Sequence, residues 1–394
     1  MTAQIPAFGT NDWFLDPSPW YEMMLQTTPI FLEARSNTWN VFTFADVERA
    51  LTQFSIFSSD SGGYTRSSEE NGSEDADIMG SMLTTDPPLH TKLRNIVSKS
   101  FSPTSISQME PRVREIATGI LNSASPNEGM DMITDFSDPF PVTVIAEMLG
   151  IPVADRKKFK KWSDNEIGSS DEPLATRSEM HRELATYLSK TIQERKKNPR
   201  SDLISSIVTS EVDGERLSER EAVSFCILLL IAGNETTTNL LANSIRLFSR
   251  HDSLSALHSN KSLIPSAVEE VLRYSSPVRG MFRIAVKDTE MSGKQIKAGQ
   301  AVMAWIGAAN RDGAKFPHPD KFDIERKPNP HIAFGHGIHM CIGAPLARLE
   351  SKVAVELLAE KYSSVKLKVS EKQLEPLRNV AVAGVKHLPV KFAA

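Results

Sequence analysis

The chain has 394 residues, a formal net charge of −4 and two cysteines, Cys226 and Cys341. A mildly acidic chain offers no electrostatic footprint for nucleic acid, and two cysteines far apart in sequence favour a reducing compartment over a disulfide scaffold. No Gly/Ser-rich or Pro-rich linker divides the sequence, so we expect one large domain over 1–394. The N-terminus lacks the basic and apolar parts of a signal peptide, and the longest apolar run, 225–232, is too short to cross a bilayer. We therefore expect a cytoplasmic protein without a membrane anchor.

Helical periodicity dominates the chain, with apolar residues recurring at three- and four-residue spacing. A polar, acidic and glycine-rich stretch at 58–80 cannot pack as core and indicates a surface loop. The sequence therefore predicts a mainly α fold with small β-sheets. In chain order, the predicted elements are a strand at 38–44, helices at 105–123, 136–149, 179–197, 219–250 and 266–274, a strand at 301–306 and a long helix from Ala344.

Residues 334–343, FGHGIHMCIG, place Cys341 among glycines directly before the last predicted helix. Gly335 and Gly337 permit positive φ and a close approach of the backbone to a planar group. Pro345 suits the first turn of a helix, and the positive end of that helix favours the thiolate form of Cys341. This pattern predicts a thiolate ligand with an open face.

Two other interpretations of this segment were open from the residues alone. A Cys/His zinc cluster would use paired ligands at finger-like spacing, and the chain has only two cysteines. A buried inert cysteine leaves the glycines without a reason. Cys226, in the apolar part of the 219–250 helix, fits that second description, and we assign it no function. The candidate zinc ligands would be His331, His336, His339 and Cys341.

The segment resembles the haem-binding loop of cytochromes P450, FxxGxxxCxG. Its fixed positions are Phe334, Gly337, Cys341 and Gly343. The resemblance covers nearly the whole chain and is closest to soluble bacterial and archaeal members. It implies the cytochrome P450 fold, haem b (iron protoporphyrin IX) as cofactor, Cys341 as the ligand of the iron, and 331–343 as the haem-thiolate loop.

Polar residues interrupt the long apolar helix at 231–238, IAGNETTT. Gly233 lowers helix propensity and an unpaired Glu235 is costly to bury, so these residues require a reason. Thr236 can donate a hydrogen bond to the carbonyl of Ala232, four residues earlier, and bend the helix. The segment resembles the oxygen-activation motif of cytochromes P450, which implies that Glu235 and Thr236 deliver protons to bound oxygen.

Glu270 and Arg273 lie three residues apart on one predicted helix face, which ordinarily indicates a weak surface ion pair. Their spacing resembles the ExxR pair of cytochromes P450. The resemblance implies a buried structural network that Arg326, before the cysteine loop, completes.

Haem propionates need cationic or donor partners. The segment 86–94, DPPLHTKLR, resembles the family segment in which a histidine and an arginine bind propionate, and His90 and Arg94 share one helix face. Arg283 and His339 match the two remaining positions of the family. We expect these four residues to hold the propionates, although each alone would suit a solvated surface.

The resemblance also places a mobile loop, 58–80, over the substrate pocket. The expected pocket residues are almost all apolar, which favours a lipophilic substrate such as a terpenoid, steroid or fatty acid. Arg279 is the exception, since it could hold a carboxylate. The expected pocket residues are Met82, Leu83, Val278, Met281, Phe282, Val380 and Ala381.

The implied activity is a monooxygenase reaction with O2. Because no flavin or iron–sulfur domain is fused to the chain, we expect electrons from a separate ferredoxin or flavodoxin, docked on positive charge. We also expect a monomer. Two alternatives remain open: a hydrogen-peroxide-driven peroxygenase, which usually replaces the acid–alcohol pair, and a non-enzymatic haem-thiolate sensor, which typically carries a further module. The cations expected at the docking surface are Arg94, Lys99, Arg348 and Lys352.

Overall fold

A computed structural model describes residues 5–60, 82–124, 128–166, 173–211, 214 and 216–394. Most of the predicted pocket loop at 58–80 lies outside the described residues. The chain separates into two compact units: Met1–Ser58 with Ala117–Ser137 and Thr236–Ala394, and Ser59–Ile116 with Asp138–Glu235. The expectation of one domain over 1–394 stays a prediction.

Helices dominate the described residues, as the periodicity predicts. The α-helices are α1 Asn11–Leu15, α2 Ser18–Thr27, α3 Phe44–Thr52, α4 Leu89–Ser98, α5 Pro103–Ser107, α6 Glu110–Ser123, α7 Pro139–Met148, α8 Arg156–Glu166, α9 Leu174–Lys197, α10 Leu203–Thr209, α11 Glu219–His251, α12 Leu254–Ser259, α13 Ile264–Tyr274, α14 Ile306–Ala309 and α15 Ala344–Lys361. The strands are β1 Ile30–Glu33, β2 Thr38–Val41, β3 Phe57–Ser58, β4 Met130–Asp131, β5 Met281–Ala285, β6 Thr289–Met291, β7 Lys294–Ile296, β8 Ala301–Ala304, β9 Ser364–Leu367 and β10 Pro389–Ala393.

The first unit contains all the described strands. Its main sheet has the order β1-β2-β8-β5-β3, in which β2 and β8 are parallel and the other pairs are antiparallel. A three-stranded sheet, β4-β10-β9, and the hairpin β6-β7 complete the set. Apolar side chains of the main sheet form a core with α3, and α15 packs against α13 and α12. The cysteine loop therefore leads into α15, a helix that α12 and α13 hold in place.

The regular elements of the second unit are helices, as far as its residues are described. In it α7 packs on α8, α8 on α9, α9 on α10 and α10 on α4. The first half of α11 also belongs to this unit, where Asn234 donates a hydrogen bond of 2.9 Å to the hydroxyl of Ser163. Because Asn234 is fully buried, that bond satisfies a polar group that the core would otherwise penalise.

Three predicted elements differ from the structure at proline or capping residues. The helix predicted at 105–123 is two helices, α5 and α6, and the one predicted at 136–149 is a π-helical turn, Ile133–Ser137, followed by α7. Pro139 opens α7, since proline lacks an N–H and fits only the first turn. The strand predicted at 38–44 ends at Val41, because the Thr43 hydroxyl accepts the Asp46 N–H and caps α3.

Helix α11 is long and apolar enough to cross a membrane by length and composition alone. Within its most apolar window, 67% of the residues are buried inside the protein, which is typical of a core helix. The predicted helix at 219–250 ends one residue later, at His251.

Candidate functional site

The cysteine loop is closed by its own backbone. The Cys341 N–H donates to the Phe334 carbonyl at 2.8 Å, and the Met340 N–H donates to the Gly337 carbonyl at 3.1 Å. Gly335 and Gly337 have φ of +72° and +74°, the left-handed region that favours glycine. A Cβ at Gly337 would lie 3.0 Å from the backbone of α3, so that a side chain there would push the loop away. The loop thus holds the Cys341 side chain in an exposed position.

The start of α15 adds a positive field beside Cys341. Gly343 is the N-cap residue and provides no side-chain acceptor, and Pro345 occupies the first turn, as predicted. The unpaired N–H groups of a first turn carry partial positive charge, which stabilises a nearby thiolate. The hydrogen bonds to Glu269 are the main reason that the pKa of Arg348 is raised, and the nearby Cys341 adds to this effect.

Arg348 belongs to a clamp that the sequence did not reveal. Its guanidinium forms two hydrogen bonds with Glu269 of α13, at 2.7 and 2.8 Å, and lies 4.5 Å from the centre of the Phe334 ring. Glu269 also pairs with His331 Nε2 at 3.1 Å. Since His331 Nδ1 accepts the Ala333 N–H at 3.2 Å, the ring proton lies on Nε2 and is donated to Glu269. Both ends of the loop are therefore tied to α13 through one carboxylate.

The electrostatics of Glu269 show the strength of this clamp. Burial alone would raise the pKa of Glu269, but the hydrogen bonds and charge of Arg348, with the hydrogen bond of His331, outweigh it and hold the pKa at about 2. The carboxylate is therefore ionised at neutral pH, and it compensates the charge of Arg348. The place of Arg348 on a docking surface stays a prediction; its side chain is 41% exposed and is paired with Glu269.

Glu270, the neighbour of Glu269, organises a second network. Arg273 donates to both Glu270 oxygens at 2.8 Å, and the Arg326 Nε–H is shared between the same oxygens at 3.2 and 3.1 Å. Arg273 and Glu270 are completely buried, whereas most ion pairs at i,i+3 lie on a surface. The two guanidinium groups also donate to carbonyls of the irregular segment 317–321. The structure thus brings together the three residues that the ExxR resemblance selects.

The cationic residues expected at the propionates lie in both units. In the first unit, Arg283 is 4% exposed on β5 and His339 ends the 3₁₀ turn Gly337–His339. In the second, His90 and Arg94 occupy the first turns of α4, and His90 is 2% exposed. Burial, together with the charge of Arg94, lowers the pKa of His90, so that the ring is neutral at pH 7. A neutral imidazole can still donate one hydrogen bond to an anion.

The polar interruption of α11 is packed on one side and open on another. Gly233 lies against Ile145 of α7 at ordinary contact distance, while Ala232 is exposed. Burial alone raises the pKa of Glu235, and its carboxylate has no hydrogen-bond or ion-pair partner among the described residues. The Thr238 hydroxyl donates to the Ser137 carbonyl at 3.0 Å. The bond from Thr236 to the Ala232 carbonyl stays a prediction.

Strand β5 separates two of the residues expected in the substrate pocket. Met281 and Phe282 are adjacent in a regular strand, so their side chains point to opposite faces. Met281 shares its face with Arg283 and packs against the core, whereas Phe282 is 56% exposed on the other face. Phe282 therefore does not line the same surface as Met281.

The other expected pocket residues fall into two groups. In the first unit, Val278 pairs with Val382 in an isolated β-bridge, and this pairing brings Val380 and Ala381 next to it. Val380 is 37% exposed, which is unusual for a large apolar side chain held by backbone pairing. In the second unit, Met82 is buried and Leu83 is exposed.

Arg279 is not available to hold a substrate carboxylate. Its side chain is 2% exposed, and its guanidinium donates to the carbonyls of Asn379, Val382 and Phe14 at 2.7, 2.8 and 2.5 Å. The expectation that Arg279 could bind a substrate carboxylate was wrong, because the guanidinium is buried and both of its Nη groups already donate to backbone carbonyls. Its role is to anchor the segment that carries Val380 and Ala381.

Three polar residues near the loop were missed by sequence reasoning. Besides Glu269, Asn310 accepts the Ile332 N–H at 2.8 Å and donates to the Ser276 hydroxyl at 2.9 Å, thereby linking the loop to the end of α13. Glu350 of α15 is 1% exposed, its Oε2 has no hydrogen-bond partner in the described part of the chain, and burial raises its pKa well above the ordinary value. A charged residue at a core position of an amphipathic helix was the available signal for Glu350.

These features fit haem. An exposed thiol at a helix N-terminus, a flat loop without side chains at Gly335 and Gly337, and a buried cation on β5 are the parts that such a cofactor requires. Over the same described residues, no group of three or more His, Cys, Asp or Glu side chains is arranged to hold a metal ion by itself. The geometry of the loop therefore suits a macrocycle-bound iron with a single protein thiolate.

Comparison with known proteins agrees with this class of site. A family model described as cytochrome P450 matches residues 257–391. Cytochrome P450 109 of Bacillus spizizenii is 39% identical over 387 residues, which are 96% of this chain and 92% of that protein. Cytochrome P450 monooxygenase PikC of Streptomyces venezuelae is 37% identical over 390 residues, which are 97% of this chain and 92% of that protein.

A solved structure extends the agreement to three dimensions. The crystal structure of CYP109E1 from Bacillus megaterium in complex with corticosterone matches with a TM-score of 0.86 and 37% sequence identity, over 96% of this chain and 99% of that one. The chain belongs to the cytochrome P450 family, the haem-containing monooxygenases. The predicted fold, enzyme class and cofactor are thereby confirmed.

Proposed function

We propose that this cytochrome P450 inserts one oxygen atom from O2 into an unactivated C–H bond of a lipophilic small molecule, with electrons from a separate ferredoxin-like or flavodoxin-like protein of the cytoplasm. The observation that carries the proposal is the exposed Cys341 thiol, held at the N-terminus of α15 in a loop that glycines keep flat. The haem, when bound there, supplies the binding and reductive cleavage of O2.

Each predicted site residue then has a separate task. Cys341 would ligate the haem iron, and the positive end of α15 would favour the thiolate form of its sulfur. Arg283, His339, His90 and Arg94 hold the propionates through charge or hydrogen bonds. Phe334, Gly335 and Gly343 shape the loop around the thiolate. Glu270, Arg273 and Arg326 keep the segment before the loop in place.

Glu235 would hold a proton on its carboxyl group, and Thr236 would pass it on for the reduction of O2. A carboxyl whose pKa burial has raised spends more time protonated at neutral pH, and it can therefore donate a proton that an ordinary surface glutamate has already lost. Thr236 follows Glu235 directly on α11 and passes or orients that proton through its hydroxyl. Gly233 and Ala232 leave space beside the helix axis, because neither has a side chain larger than a methyl group.

The apolar residues of the first unit support a lipophilic substrate. Val278, Val380 and Ala381 present aliphatic groups on one backbone-paired segment, and Arg279, the nearest cation, is occupied by carbonyl oxygens. CYP109E1 has been crystallised with corticosterone and with testosterone, both apolar and uncharged. We infer that steroids, terpenoids or fatty acyl chains are selected by shape and burial rather than by charge.

Two experiments test the proposal. The reduced carbon monoxide complex of the haem-loaded protein should show the strongly red-shifted Soret band of a thiolate ligand, and C341S should abolish it, whereas C226S, a matched control in α11, should retain it. For the substrate, spectral titrations with a fatty acid and with its methyl ester should give similar affinities. A wild-type spectrum in C341S, or a preference for small hydrophilic compounds over every lipophilic class, would refute the corresponding part.

A further inference from the structure

A small polar cavity lies inside the first unit, away from the cysteine loop in sequence. It has a volume of about 50 Å³ and is bounded by the α1–α2 junction, the second half of α11, the segment after α13 and the 383–384 turn. Four arginines line it: Arg246, Arg250, Arg279 and Arg311. This volume holds a few water molecules or one small ion, and it is far too small for a substrate.

Three hydrogen-bond donors in the walls of the cavity have no acceptor. Tyr21 Oη, Arg246 Nε and Arg279 Nε are buried and have no hydrogen-bond partner within the described residues. All three carry a hydrogen that can be donated, since burial raises the pKa of Tyr21 well above its ordinary value and keeps its hydroxyl protonated. No buried side-chain acceptor among the lining residues, all of which the structure describes, is left without a donor. Three unused donors around one cavity indicate a missing acceptor.

The charges around the cavity do not balance. Glu371 pairs with Arg246 at 3.0 Å and also with Arg250, while Asp320 pairs with Arg311 at 3.2 Å. Asp16, the one carboxylate among the lining residues, lies 3.6 Å from Arg250. Arg279 donates only to carbonyl oxygens, and no carboxylate of the described residues lies within ion-pair distance of it. Four guanidinium charges therefore face three carboxylates, and the surplus lies on the most buried arginine.

We propose that this cavity binds one small anion, the size of a halide, through the Nε–H groups of Arg279 and Arg246 and the hydroxyl of Tyr21. The anion supplies both the missing acceptor and the missing negative charge. A water molecule would satisfy the donors but would leave the Arg279 charge uncompensated in a buried place.

Binding at this site couples to the substrate segment. The other nitrogens of Arg279 hold the carbonyls of Asn379 and Val382, which bracket Val380 and Ala381. Neutralising Arg279 stabilises its buried position and with it the bridge between Val278 and Val382. The anion site thus supports a surface that the proposed function assigns to substrate, although its own existence does not depend on that assignment.

The first test uses crystals of the haem-loaded protein grown in sodium bromide. Anomalous diffraction at the bromine edge should show a peak in the cavity, within hydrogen-bond distance of Tyr21 Oη and Arg279 Nε. Electron density without an anomalous peak means water alone and would overturn the proposal.

The second test is in solution and needs no activity. The thermal midpoint should rise with chloride in a saturable way, at an ionic strength held constant with gluconate, which is too large for the cavity. Y21F removes only the hydroxyl and should weaken the apparent chloride affinity about tenfold, the effect of one lost hydrogen bond to a charged group. Y362F, outside the cavity, is the matched control. Equal chloride dependence in the native chain and Y21F would overturn the proposed donor set.

Discussion

Replacing Glu269 with glutamine should destabilise the protein by about 2 kcal/mol at pH 7. The fall of the Glu269 pKa from an ordinary 4.5 to about 2 corresponds to about 3 kcal/mol in favour of the ionised form. Because 30% of the side chain is exposed, solvent screening reduces this figure. Glutamine keeps the shape and one acceptor oxygen, but it leaves the Arg348 charge without compensation beside the thiolate loop.

Urea unfolding of the haem-loaded protein measures this difference. The folded pKa of Glu269 lies below the unfolded one, so its contribution is complete above about pH 4.5 and is lost as the pH falls towards about 2. The difference in the free energy of unfolding between the native chain and E269Q should therefore become smaller below about pH 4.5. E375Q, which breaks an exposed ion pair with Lys386, is the control and should destabilise the protein less than E269Q does. If E269Q lowers the free energy of unfolding no more than E375Q does, or if its effect is unchanged below about pH 4.5, the proposed stabilisation by Glu269 is refuted.

Three further predictions concern residues elsewhere in the chain. E350Q should be more stable than the native chain, because burial opposes ionisation of the Glu350 carboxyl and so raises its pKa. The gain in the free energy of unfolding should grow by up to about 1.4 kcal/mol per pH unit above about pH 4.5. Urea unfolding at about pH 5 and about pH 8 measures it, and equal gains at the two pH values would contradict the prediction. T236A should retain haem and substrate binding but lower the product formed per NAD(P)H about tenfold as electrons leave in peroxide; coupling at the native level would remove its proton role. K99E should slow reduction by an acidic donor at low salt and lose this effect at high salt, whereas K294E should not; identical rates in both variants would place the donor elsewhere.

The local chemistry of the haem-thiolate loop could be predicted from the sequence because glycine and proline report backbone geometry directly. The positive φ of Gly335 and Gly337 and the Pro345 position in α15 follow from residue type alone. The direction of Arg279 could not be predicted, since the carbonyls that hold it come from residues 14, 379 and 382. Sequence spacing says nothing about such long-range partners.

Because sequence spacing does not show which residues come into contact, it also did not show the role of Glu269 beside the loop. Glu269 and Glu270 are adjacent and identical in type, yet one binds Arg348 and the other Arg273, because successive helical residues point about 100° apart. The separation of Met281 from Phe282 was available from strand periodicity, but only once the strand boundaries were known. The resemblance to cytochromes P450 identified the site residues, but the contacts of each residue depend on packing that the sequence does not show.

Backbone carbonyls in the segment 317–321 accept hydrogen bonds from guanidinium groups, whereas carbonyls in helices and sheets accept them from backbone N–H groups. Arg326 supplies the hydrogens for Pro317 and His318, and Arg273 supplies the one for Pro319. The stretch therefore has no local stability of its own, and it can be ordered only after α13 has placed Arg273. In native-state hydrogen exchange, the amides of His318, Asp320 and Lys321 should open together with those of α13 as one cooperative unit, although one segment is irregular and the other helical.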